Sequence, residues 1–269
     1  MPVPLEGAGS GALVRLPPDE ARHAMRTLRL KEGAVLELCD GAGGVARGEL
    51  LTADAPGGEG ALARLLAPAA AAPPPAWDWT LAVACGSLKG GRSDWLVEKA
   101  SELGAGALLP LLTERSPALG GAEAGAKDAR RAARVGRGND ADGGGREARW
   151  RRVAQAAMKQ SLRARCLALE APARVPELAA RVRAARAAFV GVAGAPPLAA
   201  EAAALAGGPG GAALIIIGPE GDFAPEELAL LVAAGATPVG LGGLRLRAET
   251  AAVAALAFLR LALPEADER

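Results

Sequence analysis

The chain has 269 residues, 51% of them hydrophobic and 23% charged, with a formal net charge of +1, a balance that supports one or two packed domains and excludes wholesale disorder. Its longest apolar stretch near the C-terminus, Ala251 to Leu259, stops at Arg260, short of the roughly 18 residues a membrane span takes. Three scattered cysteines, Cys39, Cys85 and Cys166, and a single histidine, His23, argue against a disulfide framework, a zinc centre and Ser-His-Asp chemistry.

No basic start followed by an apolar core opens the chain, so no secretory signal is predicted. The expectation is a soluble, intracellular protein with neither membrane nor metal as partner.

In chain order, ALVRL (Ala12 to Leu16), AVLELCD (Ala34 to Asp40) and VARGELL (Val45 to Leu51) read as short strands, the last two joined by a Gly-rich turn. Between the first two, Ala21, Met25 and Leu28 follow the candidate cap Asp19 at helical spacing. A small β-rich domain over residues 1–72 results. The proline-rich run Ala67 to Ala76 reads as a stiff spacer.

Beyond it, over residues 77–269, apolar runs at 79–85, 107–112, 187–193, 213–218 and 237–242 alternate with helical segments at Ser93 to Leu103, Glu147 to Arg163, Pro176 to Ala185, Pro225 to Ala234 and Glu249 to Ala262. Runs that are apolar on both faces predict a buried parallel sheet, hence an α/β domain. Residues 119–146, rich in Ala, Gly and Arg, read as a mobile insertion. Lys127 to Arg165 holds twelve Lys or Arg against four acids, and Arg22, His23, Arg26, Arg29 and Lys31 precede any acid until Glu32. Both groups suit a polyanion, or equally a solvated surface.

Three segments carry candidate chemistry. IIIGPEGDFAPEEL (Ile215 to Leu228) is a buried strand, a Gly-Pro turn at its carboxyl end and a helix, the place where open α/β sheets bind ligands. It is neither GxGxxG nor a phosphate loop. VGLGGLRLRAET (Val239 to Thr250) supplies a second Gly-rich turn with Arg245 and Arg247 beside it, and two such turns can face each other across one ligand. GSLKGGRSDWLVEKASELG places Lys89 and Arg92 in a loop, followed by a helix whose Trp95, Val97 and Ala100 read as core. Glu114 and Arg115 lie at the end of the next strand.

In this order, together with RHAMRTLRLKEGAVLELCDG, LLTERS and RWRRVAQAAMKQSLRAR, these blocks resemble the small-subunit ribosomal RNA uridine-N3 methyltransferases of the RsmE type, in the SPOUT superfamily, with wording closest to plant and algal members. The resemblance implies a PUA-like RNA-binding β-barrel followed by an α/β domain whose C-terminal segment is threaded as a trefoil knot, in a homodimer. It implies S-adenosylmethionine as cofactor, bound by Gly218, Glu220, Gly221, Leu241, Gly242, Leu246 and Arg247. Small-subunit ribosomal RNA, free or in the assembled subunit, is the implied partner, met by Arg22, His23, Arg26, Arg29, Lys31, Lys89 and Arg92.

Uracil N3 is a poor nucleophile until deprotonated, so Arg115 and Arg247 are candidate cations for the resulting anion, and Glu102 or Glu249 a candidate proton acceptor, with solvent as the alternative. The cytoplasm is the expected compartment of a bacterial protein, and the plastid stroma or mitochondrial matrix that of a plant or algal one. One departure from the family pattern stands out: Gly243 and Leu244 replace the usual Pro and basic residue, with Arg245 the candidate to take over the basic role. It keeps open a second reading, a non-catalytic RNA-binding or ribosome-assembly factor.

Overall fold

The computed structural model describes residues 5–51, 61–84, 91–116 and 145–263. Among them the chain divides into two units, one running to Pro74 and including Leu162–Cys166, the other comprising Pro75–Ser161 and the chain from Leu167 onward. The expected insertion at 119–146 falls almost entirely outside the described residues, as do Cys85 and Lys89.

The first unit is an antiparallel sheet of β1 (Leu13–Arg15), β2 (Val35–Cys39), β3 (Gly44–Leu51), β4 (Leu62–Leu65) and β5 (Ala70–Ala71), in the order β1-β4-β3-β2 with β5 pairing β3. Alternation along the strands turns Val14, Ala46, Leu50, Ala63 and Leu65 inward, where they meet Leu5, Leu16 and Ala21. The expected spacer is therefore partly strand, since apolar Ala70 and Ala71 find register partners in Val45 and Gly44. Helix α1 (Pro18–Arg22) starts on a proline, which fits the first turn, so Asp19 lies inside the helix instead of capping it. It runs directly into a π-helical turn, His23–Thr27.

The second unit is built on an all-parallel sheet formed by β6 (Trp77–Val83), β7 (Ala107–Leu112), β8 (Ala168–Leu169), β9 (Ala173–Arg174), β10 (Ala187–Gly191), β11 (Gly211–Ile217) and β12 (Thr237–Val239). Its order is β12-β10-β11-β6-β7-β8, with β9 also on β7. The helices are α2 (Arg92–Glu102), α3 (Arg146–Gln160), α4 (Val175–Ala184), α5 (Leu198–Leu205), α6 (Pro225–Ala233) and α7 (Ala248–Ala262).

Ala82, Leu109, Leu111, Val190, Leu214 and Ile216 pack on one sheet face with Val175, Leu178 and Val182 of α4 and Leu231 of α6. Alternate residues such as Trp79, Leu81 and Ile215 are equally buried, and α7 lies against β6 and β11 with α2 beside it. Trp79 stacks on Trp77 and on Phe189, at centroid distances of 5.6 and 6.3 Å; the small Ala213, on the strand between, leaves room for the second pair. Helix α5 and strands β8 and β9 escape the sequence reading, the helix because its Ala-rich LAAEAAAL lacks an apolar stripe, the strands because two residues carry no alternation.

The helix predicted to reach Arg163 ends at Gln160. Leu162 takes a left-handed φ of 59°, and the next residues join the first unit: Ala164 O accepts from Gly43 N, Cys166 N donates to Gly41 O, and the Arg165 guanidinium donates to Ala72 O and Pro73 O at 2.7 and 2.8 Å. Among the described residues no helix is long and apolar enough to cross a membrane.

Candidate functional site

Sheet topology selects the site. From β6 the chain moves outward to β7, β8 and β9, then crosses to β10, and β11 fills the gap between β10 and β6. Crevices at the carboxyl ends of strands form where strand order reverses in this way. The turns after β7, β10, β11 and β12 all lie at that edge.

The turn after β11, residues 218–224, is shaped by its own sequence. Gly218 sits against the Phe223 ring, where a Cβ would come within 2.9 Å of the ring edge. Asp222 adopts a left-handed φ of 59°, a conformation glycine takes more readily. Two arginines from elsewhere fasten the turn: Arg115 Nη1 donates to Gly221 O at 3.1 Å, and Arg245 Nη2 donates to Glu220 O at 2.8 Å. The Asp222 carboxylate lies 3.6 Å from the same Arg245.

A third fastening comes from Glu227, in the first turn of α6. Its carboxylate accepts from Ala224 N at 3.1 Å and from Glu114 N at 2.9 Å, closing the α6 cap while gripping the turn after β7. In the sequence Glu226 and Glu227 show only as an acidic start to this helix. A capping-type Glu three residues past a turn was its one visible signal.

The turn after β12, residues 240–247, is held on its other side. Gly240 N donates to Pro196 O at 2.7 Å and Gly240 O accepts from Leu198 N, and a Cβ at Gly240 would stand 2.4 Å from Ala195 O, so only glycine permits the approach. Gly242 has φ +106°, and a Cβ built there or on Gly243 meets no atom within 4 Å. Leu244, 84% exposed, and Leu246 present apolar groups from the same turn. Arg247 is exposed at the N-cap of α7, its carbonyl accepting from Ala251 N.

The expected site residues thus separate. Gly218, Glu220, Gly221, Leu241, Gly242, Leu246, Arg247 and Arg115 belong to adjoining turns, joined through Arg245. Glu249, two residues beyond Arg247, is 5% exposed; Oε1 is 3.6 Å from Arg92 Nη1, and Oε2 has no hydrogen-bond partner. Arg92, expected to face RNA, is thereby turned toward a buried carboxylate.

Glu102 is not at this site. As the last residue of α2 it lies next to the Gly104–Gly106 turn, whose Gly106 N bonds Trp79 O near the start of β6, at the amino-terminal edge of the sheet. There both its oxygens accept from Lys99, whose ammonium is held above the usual lysine range by the hydrogen bonds it donates to Glu98 and Glu102. The helix runs away from the carboxyl edge, about 1.5 Å per residue, and the i, i+4, i+8 spacing of Asp94, Glu98 and Glu102 carries no information on which end reaches the site.

In the first unit Arg22, His23, Arg26, Arg29 and Lys31 are exposed along α1, the π turn and the segment after it, with Arg22 paired to Asp19 and Arg29 at φ 53°. Of the other basic run, Arg163 is buried and Arg165 is committed to backbone carbonyls, so neither is on an RNA-facing helix. Trp95, expected in the core, is 40% exposed.

A family model described as an RNA methyltransferase domain matches residues 75–260, and one described as an RNA methyltransferase PUA domain matches residues 16–56. The chain is 34% identical, over 250 residues, to ribosomal RNA small subunit methyltransferase E of Mycobacterium bovis, covering 92% of this chain and 86% of that one. It is similar to the structure of a probable rRNA-methyltransferase from Porphyromonas gingivalis, with TM-score 0.71, 27% identity and 92% of each chain covered. The fold is also that of a Neisseria gonorrhoeae ribosomal RNA small subunit methyltransferase E bound to S-adenosyl methionine, with TM-score 0.70, 24% identity, and 97% and 96% of the chains covered.

Proposed function

Because the chain belongs to the RsmE-type family of ribosomal RNA methyltransferases, we propose that it transfers the methyl group of S-adenosylmethionine to N3 of a uridine in small-subunit ribosomal RNA. The observation that carries this reading is the meeting of the turns after β11 and β12, tied by Arg245 to Glu220 O.

The residues present fit the cofactor. Gly242 and Gly243 offer backbone with open space before it, Leu244 and Leu246 offer apolar contacts for a purine ring, and Gly218, Glu220, Gly221 and Leu241 offer carbonyls and amides. These, with Leu246 and Arg247, would hold S-adenosylmethionine. When bound, its sulfonium supplies an electrophilic methyl group.

What the chain's own residues must do is prepare the uracil. Loss of the N3 proton leaves negative charge on O2 and O4, which Arg247, exposed at this edge, would face. Arg115 is engaged by Gly221 O and shapes the turn. The proposed acceptor of the proton is Glu249: Arg92 pairs with its Oε1, and its Oε2, enclosed and without a hydrogen-bond partner, would take the proton through a water that links it to the bound uracil. Because N3 lies inside a Watson–Crick pair, the uridine reacts only when unpaired or extruded.

The reading extends to a knotted C-terminal segment and a homodimer. Val253, Ala254, Ala257, Phe258 and Leu261 form the outward side of α7, with Phe258 and Leu261 conspicuously exposed, an apolar face that a second copy would cover.

Primer extension on small-subunit RNA treated with protein and S-adenosylmethionine tests the reaction. An N3 methyl removes the pairing donor, so reverse transcription halts at one position. Calorimetric binding of S-adenosylmethionine without any halt favours another target atom, and absence of both favours the RNA-binding or assembly factor.

A further inference from the structure

We propose that the indole of Trp95 is a stacking platform for an unpaired nucleobase of the RNA substrate. The inference rests on the RNA methyltransferase reading and names a contact within it. Of the four tryptophans, Trp77, Trp79 and Trp150 are buried and Trp95 alone is 40% exposed. The chain has no tyrosine; of its phenylalanines, Phe189 and Phe223 are buried, and Phe258, 39% exposed, belongs to the apolar outward side of α7, with no charged rim like that of Trp95. An aromatic face left half in water is the kind of group a nucleobase covers.

Its surroundings select the occupant. Trp95 stands in the first turn of α2, three residues after Arg92, whose guanidinium reaches Glu249 in the first turn of α7. The platform is thus linked, through one ion pair, to the helix that Arg247 caps. Next to it Asp94 is ion-paired with Arg149 of α3, and α3, packed on α2, carries Arg146, Arg149, Arg151, Arg152 and Lys159 against Glu147.

Residues one helical turn away on the Trp95 face are Gly91, Arg92, Glu98 and Lys99. A protein partner would call for apolar neighbours around the ring. A single aromatic with a charged rim, beside a basic helix, matches single-stranded RNA, which combines base stacking with phosphate attraction. A base displaced when the target uridine leaves its helix needs such a surface.

The experiment uses the full-length protein, S-adenosylmethionine and unmethylated small-subunit RNA. Trp95→Ala is expected to raise KM and Kd for RNA roughly 5- to 100-fold, the range set by loss of one base–aromatic stack, while Trp95→Phe recovers most of it. Calorimetric affinity for S-adenosylmethionine stays at the wild-type value. Plots of log Kd against log salt move in parallel, because a stacked base releases no counterions. RNA quenches tryptophan emission in the wild type and much less in Trp95→Phe.

Wild-type RNA affinity in Trp95→Ala overturns the proposal, and so does a loss that comes with altered oligomeric state or weakened cofactor binding, which would assign the ring to a second copy or to packing. A wild-type protein that binds RNA through Trp95 yet neither binds cofactor nor methylates sinks the methyltransferase reading alone.

Discussion

Arg245 donates to the carbonyl oxygen of Glu220 at 2.8 Å, and this one bond joins turns whose strands, β11 and β12, are separated in the sheet by β10. A charged donor on a neutral carbonyl contributes about 1.5–3 kcal/mol when shielded and less in an exposed pair such as this. Arg245→Ala is therefore expected to weaken S-adenosylmethionine binding about tenfold while shifting global stability by under about 1 kcal/mol. Calorimetry beside denaturant unfolding checks both numbers; an unchanged cofactor affinity removes Arg245 from the site.

Glu249→Gln keeps the shape and an oxygen to meet Arg92 but cannot accept a proton. Turnover should fall about 100-fold or more, with cofactor affinity within roughly twofold of wild type. Single-turnover rates across pH decide the matter. If the variant regains the wild-type rate at high pH, solvent takes the proton.

Glu227 satisfies two backbone N–H groups at once, Ala224 and Glu114. Glu227→Ala leaves both without that partner, at an expected cost of about 1–2 kcal/mol in stability. Turnover should drop as well, because the turn carrying Arg115 loses its tie to α6. A variant as stable as wild type in urea would show that water replaces the carboxylate.

Leu162 combines a left-handed backbone with 57% exposure. Leu162→Gly removes the conformational cost and little buried surface, so a gain of about 0.5–1 kcal/mol is expected after the entropy of the added glycine is subtracted. A rise in the thermal midpoint is the readout.

Arg26, Arg29 and Lys31 are exposed on one short stretch. If each neutralises a phosphate, single replacement by Ala lowers the magnitude of the salt slope of RNA binding by about 0.9. Filter binding from low to high salt measures the slope, and three unchanged slopes would return this stretch to plain solvated surface.

The parts of the fold that were legible in the sequence were those whose side chains repeat. Ile215, Ile216 and Ile217 are apolar on both faces because β11 is central, and that run located the strand and the turn that follows it. The two Gly-rich turns were recognisable because few side chains tolerate Gly240's approach to Ala195 or the φ of Gly242. What was not legible depends on partners remote in the chain. Nothing near Arg115 reveals a carbonyl 106 residues away, nothing near Arg165 reveals Ala72 and Pro73, and Glu102 and Glu249 look alike until the direction of α2 assigns them to opposite sheet edges. Trp95 is followed by apolar Leu96 and Val97, which are buried, but it lies on the face of α2 shared with Arg92, Glu98 and Lys99, which the core does not cover.

The short strap Leu162–Cys166 also bears on how the molecule can be dismantled. Since Arg165 holds Ala72 and Pro73 while Gly41 and Gly43 bond the neighbouring backbone, a fragment ending at Pro74 forfeits five residues of its own architecture. Swapping the amino-terminal portion between relatives therefore requires transplanting two separate stretches of gene, and a hybrid made at a single junction inherits a mismatched fastener.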